Sequence, residues 1–200
     1  MAGNAENRGG QRGRRWRIAA WTIAALVLLL PLIAMQFTDE VNWTETDFAF
    51  AGALIVGTAL AFDLAVRMAN NDAYRAALGV ALAAAFLLIW INAAVGIIGS
   101  EDNPANLTYG GVLAVGITGA VIARFEPNGM ARTMFASALV QALVAMIAVI
   151  AGMGYPASPP LEIIGVNALF VAVWLTSAWL FRKAARAQIL ADAASWQNGL

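Results

Sequence analysis

The 200-residue chain contains no cysteine and no histidine. Without thiols there is no disulfide framework, no thiolate nucleophile and no Cys/His zinc site. Without imidazole there is no Ser-His-Asp set, no His-Glu-x-x-His metal motif and no histidine-ligated haem. Lysine occurs once, as Lys183 at the end of the last apolar run. That position excludes a Schiff base buried in mid-membrane, and no Gly-x-x-x-x-Gly-Lys phosphate loop is present. Charge is also scarce. Twelve basic and 12 acidic residues make up 12% of the chain and cancel, so no global basic field directs it to nucleic acid. Apolar residues fill the space: 61% of the chain, with a mean hydropathy of +0.72. Soluble domains run near 45–50% apolar and about 25% charged, so neither a soluble nor a disordered class fits.

A hydrocarbon core about 30 Å thick is crossed by roughly 20 apolar helical residues. Six such runs are expected, at about 18–37, 48–69, 76–99, 107–125, 131–154 and 161–181. The breaks between them have physical causes. Thr38-Asp39-Glu40 through Asp47 is too acidic for hydrocarbon, and Asn70-Asn71-Asp72 is a run of polar turn formers. Pro104 stops a helix after Ser100-Glu101-Asp102-Asn103, and Pro127-Asn128-Gly129 marks a turn. Pro159 and Pro160 suit the first turn of a following helix. Barrel strands would alternate in polarity over about ten residues, whereas these runs are continuous and alanine-rich. The first run is too long for a signal-peptide core and ends in Ile33-Ala34-Met35-Gln36, with no Ala-x-Ala cleavage site.

With six spans, all 12 basic residues fall on one side. They are Arg8, Arg12, Arg14, Arg15 and Arg17 in the N-terminal tail, then Arg67, Arg75, Arg124, Arg132, Arg182, Lys183 and Arg186. The three opposite loops carry only acids: Asp39, Glu40, Glu45, Asp47, Glu101, Asp102 and Glu162. Cytoplasmic loops are enriched in Lys and Arg, so both termini are expected in the cytoplasm. The acidic loops offer hard oxygen ligands for a cation, notably Glu101-Asp102-Asn103 with Asn106, but they lack EF-hand spacing. Solvated surface is the simpler reading, and no metal or other cofactor is expected.

Two stripes of small residues have four-residue spacing: Ala49, Ala53, Gly57, Ala61 and Ala65, and then Gly110, Ala114 and Thr118, with Gly111, Gly116 and Gly119 nearby. Such faces let helix backbones approach closely in lipid, within one bundle or between subunits. Residues 1–15 are expected to be disordered. Residues 184–200 are expected to form an amphipathic helical tail on which Ala185, Ile189, Ala193 and Trp196 share a face.

An ionisable residue at membrane depth is a functional candidate. Asp63 lies in the inner half of its span, with Arg67 one helical turn on. It is either an ion-paired acid beside a snorkelling arginine or a cation site at the inner end of a pathway. Gln141 in mid-span, Asn92 and Asn167 in outer halves, and Thr118 are uncharged polar residues at depth. Amides of this kind bond helices together, or line a cavity for a small solute. Trp90 and Trp174 are too deep for the interfacial belt, so each indole needs a partner.

The expected fold is therefore all-α: a polytopic six-helix membrane bundle over 16–183, in a bacterial inner membrane. The expected function is non-enzymatic. One reading is small-solute or ion transport or binding through Asp63, Asn92, Gln141 and Asn167. The alternative is an accessory or scaffold subunit whose small-residue faces dock other helices. The expected partners are the lipid bilayer and a homo-oligomer or a larger membrane complex, with no nucleic acid. Transport predicts a water-reachable cavity at Gln141. A dry interior with small-residue stripes facing lipid favours the subunit.

Overall fold

A computed structural model describes residues 22, 26, 29–38, 43–68 and 71–198. Among them the chain is 82% helix with no strand, and five helices are long and apolar enough to cross a membrane. Positions 22, 26 and 29–34 are helical and are labelled α1. The others are α2 (Glu45–Met68), α3 (Asp72–Ala94), α4 (Tyr109–Ile122), α5 (Pro127–Ile150) and α6 (Pro160–Asn198). A 3-10 turn, Pro104–Thr108, leads into α4. The expected span 18–37 is described only in part, and the tail 1–15 lies outside the described residues.

The chain divides into two units, Met1–Gly57 and Thr58–Leu200, and the division falls inside α2. In the first unit, local chemistry fixes where α2 begins. The Thr44 amide donates to Asp47 Oδ2 at 2.7 Å, and the Asp47 amide donates back to Thr44 Oγ1 at 3.4 Å. This is a capping box, which satisfies two of the amides that every helix start leaves free. Trp43 and Phe48 pack edge to face at 5.2 Å across it, as a hydrophobic staple. The helix thus begins three residues before the apolar run expected at 48–69.

In the second unit, α3 begins early for the same reason: Asn71 Oδ1 accepts the Tyr74 amide at 2.7 Å. The same helix ends at Ala94, short of the expected 99, because Gly96 and Gly99 turn to positive φ at 72° and 75°. A Cβ at Gly96 would sit 2.5 Å from the Ser100 carbonyl oxygen, so only glycine fits. Pro127 and Pro160 each open a helix where a missing N–H costs little.

Helix α6 lies at the centre of this unit. It packs against α3 and against α5, and α5 packs in turn against α4. The seam between α3 and α6 is lined by Ala77, Ala81 and Ala84 opposite Phe170, Ala178 and Phe181, all buried. Ser177 Oγ donates across it to the Ala77 carbonyl at 2.8 Å.

Loop contacts group the charged ends. The Tyr74 hydroxyl donates to the Phe125 carbonyl at 2.7 Å, and the Tyr74 ring packs on Phe181 at 5.1 Å. The turns carrying Arg75 and Arg124 therefore meet the end of α6 that carries Arg182. At the opposite end, Gly99 and Ser158 exchange hydrogen bonds at 3.2 Å, and Asn103 Nδ2 donates to the Met153 carbonyl at 2.8 Å. The loops bearing Glu101, Asp102 and Glu162 therefore share that end. The expected tail is continuous with the last span: α6 runs unbroken to Asn198 and stays packed as far as Ala185.

Candidate functional site

Three helices of the second unit bring polar side chains to one buried point. Tyr109 opens α4, Gln141 lies two-thirds of the way along α5, and Asn167 lies two turns into α6. Their exposures are 2%, 0% and 1%. Gln141 Nε2 donates to Asn167 Oδ1 at 2.7 Å. The Tyr109 hydroxyl and the Asn167 amide bond in both directions, at 2.9 and 3.1 Å. The second proton of Asn167 Nδ2 goes to the Ile163 carbonyl of its own helix at 2.8 Å. Asn167 is thus the hub, and the bonds tie α4, α5 and α6 together. Interhelical bonds of this kind are worth about 0.6 kcal/mol each on average in membrane proteins.

The polar residues of α5 form a ladder. Thr133, Ser137 and Gln141 are buried at four-residue spacing and share a face. Glycines of α4 meet this face. A Cβ on Gly119 would lie 2.5 Å from Thr133 Cγ2, and one on Gly116 would lie 3.5 Å from Ser137 Oγ. Hence Gly116 and Gly119, with Val112, form the packed face of α4. The stripe of Gly110, Ala114 and Thr118 lies on the exposed side. On α2, Ala49, Ala53, Gly57 and Ala61 are exposed as well, and the Ala65 side chain lies outside the described residues.

The other sequence candidates stand apart from this cluster. Asn92 Nδ2 donates to the Leu88 carbonyl at 2.7 Å within α3 and does not join Asn167. Asp63 Oδ2 pairs with Arg67 Nη2 at 2.6 Å within α2, and both side chains are exposed, at 44% and 67%. Gln141 and Asn167 are therefore the only two of the four proposed solute residues that meet.

The sequence reading missed the roles of two residues that shape the site: Tyr109, and Asn106, which it named only as an oxygen ligand of the acidic loop. Tyr109 reads as an interfacial aromatic, yet its hydroxyl completes the amide cluster. Asn106 is buried at the acidic end and organises the turn before α4. Its Oδ1 accepts from the Ile97 and Ile98 amides at 3.1 and 2.9 Å, and its Nδ2 donates to the Ser100 carbonyl at 2.7 Å. The signal for it was the pair Gly96 and Gly99 ahead of Asn103-Pro104, which demands a tight turn with a polar centre. That turn holds Glu101 and Asp102 exposed at its tip. Among the described residues no group of three or more acids, histidines or cysteines is placed to hold a metal.

No family model, curated protein or solved structure matches the chain. The chemistry of the cluster is that of hydrogen-bonding amides and hydroxyls. No base stands beside Ser137 to make it a nucleophile, since its Oγ has no hydrogen-bond partner.

Proposed function

We propose that the chain is a non-enzymatic, six-span protein of a bacterial inner membrane, with both termini cytoplasmic, that serves as an accessory or scaffold subunit. The six-span count and the orientation rest on the sorting of every Lys and Arg to one set of segments. The docking role rests on one observation. Helix α4 uses Gly116 and Gly119 to pack on α5, while its second small face, Gly110, Ala114 and Thr118, is exposed. A helix with two close-approach faces can hold one neighbour inside the chain and a second outside it.

The natural lack of cysteine makes the test clean. Ala114→Cys is expressed in native membranes and treated with a thiol-to-amine cross-linker. The expected result is a discrete adduct with a second polypeptide, absent from Leu169→Cys on the exposed side of α6. An Ala114→Cys chain that stays free of adducts overturns the docking role.

A second reading, small-solute binding or transport, draws support from Gln141, whose Oε1 is buried without a hydrogen-bond partner. It stands second because Gln141 is 0% exposed and because Asp63 and Asn92 make their bonds elsewhere. Uptake that fails in Gln141→Leu at normal protein levels would reverse the order.

A further inference from the structure

Four buried polar atoms among the described residues lack partners: Asn92 Oδ1 in α3, Ser137 Oγ and Gln141 Oε1 in α5, and Trp174 Nε1 in α6. Gln141 and Ser137 are 0% exposed and Trp174 is 3% exposed, whereas Asn92 is only half-buried. Buried polar groups are nearly always hydrogen-bonded, so the orphaned atoms of α5 and α6 call for a cause. Gln141 and Ser137 are one turn apart on the same face of α5, with Cβ atoms about 5–6 Å apart. One small molecule bonded to both spans that gap. Trp174 follows Asn167 by seven residues, which places it about 20° from Asn167 around α6. Helix side chains lean toward the N-terminus. Along the antiparallel register set by the Gln141–Asn167 bond, the indole therefore leans toward the level of Ser137. On the α4 side, a Cβ at Gly116 would meet no heavy atom within 4 Å other than Ser137 Oγ, at 3.5 Å. The glycine leaves room directly in front of the hydroxyl.

We infer that Ser137, Gln141 and Trp174, with Gly116 as the open wall, form a buried binding site for one small neutral molecule that both donates and accepts hydrogen bonds. The donors and acceptors define the class. Gln141 Oε1 needs a donor, Trp174 N–H needs an acceptor, and Ser137 Oγ serves either way. An anion would face the Gln141 oxygen, and a cation would face the indole proton, so neither suits the set. Water is the smallest member of the class and needs two to four polar partners, which these three residues supply. A short amide or alcohol has the same hydrogen-bonding chemistry. This site rests on Gln141, as the second reading above does, with the molecule held in a closed interior rather than transported, and it stands independently of docking on the outer face of α4.

The test uses the full chain in lipid nanodiscs with ¹⁵N-labelled tryptophan. The Trp174 indole resonance is identified by its loss in Trp174→Phe. If that variant does not accumulate, the resonance is identified by the shift that Ser137→Ala induces. The expected result is magnetisation transfer from water to the Trp174 indole proton, or a saturable shift of that resonance on titration with formamide. The first outcome assigns water and the second a larger neutral solute. Gly116→Ala places a methyl 3.5 Å from Ser137 Oγ, an ordinary contact, so the fold tolerates it. It is expected to abolish the transfer or the shift. Gly165→Ala, where a Cβ meets nothing within 4 Å, is expected to leave both unchanged. An indole proton that receives no transfer and does not respond to formamide overturns the site. Signals that survive Gly116→Ala, or vanish in Gly165→Ala, overturn its placement.

Discussion

The two faces of α4 carry nearly the same residue types and meet different surroundings. The face with Gly116 and Gly119 is pressed against the Thr133–Ser137–Gln141 ladder of α5, and that with Gly110, Ala114 and Thr118 is open. Size cannot tell them apart, since both are small. What separates them is the partner: only the first meets a row of polar side chains at matching spacing. In hydrocarbon there is little hydrophobic force between helices, so close packing and interhelical hydrogen bonds select the inner face. The comparison turns into a series of substitutions whose effects differ by face.

The largest effect is expected from Gly119→Leu. A Cβ there already lies 2.5 Å from Thr133 Cγ2 and 2.7 Å from its Oγ1, and Thr133 is buried. Helices α4 and α5 have to separate, at a cost of about 3 kcal/mol, near the top of the range for overpacking. Loss of secondary structure at a lower temperature or a lower fraction of SDS, followed by circular dichroism in mixed micelles, measures it. A variant as stable as the parent would show that this face is not the packed one. Next comes Asn167→Leu, which removes the hub and leaves the Tyr109 hydroxyl and Gln141 Nε2 buried without their partner. Orphaned groups cost about 1–3 kcal/mol each, reduced in a membrane because the unfolded reference also finds partners. The expected net loss is roughly 2 kcal/mol. Asn92→Leu, whose amide bonds only its own helix, is expected to cost less than half as much.

The same contrast explains what the sequence could reveal. Five of the six expected spans were legible as helices, because composition and polar breaks mark membrane spans strongly. The starts of α2 and α3 were read three and four residues late, since apolar runs define where lipid begins and capping chemistry defines where the helix begins. Thr44-x-x-Asp47 and Asn71 carried that chemistry in plain view. Of the site, Gln141 and Asn167 were legible as amides at depth. Their union with Tyr109, and their separation from Asn92, depended on helix azimuth. Azimuth is poorly encoded in a membrane protein, where the outer face is as apolar as the inner one. On α4 the exposed positions include Ile117, Val121 and Ile122. A soluble helix would have shown its outer face by polar residues.

The smallest effect on stability is expected on the outer face, and it is the most informative about function. Ala114→Leu adds a large apolar side chain where α4 is exposed. Within the second unit it meets no packed neighbour, so its unfolding transition should match the parent within about 0.5 kcal/mol, as for surface changes generally. Under the proposed docking role, the same substitution in native membranes would separate two backbones that small residues allow to touch. A companion chain that co-purifies with the parent should then fall away, or a homo-oligomer should dissociate, with the fold intact. If Ala114→Leu instead destabilises the isolated chain as strongly as Gly119→Leu, the outer face is packed within the protein. The distinction between the two sides of α4 would then collapse, and the docking role with it.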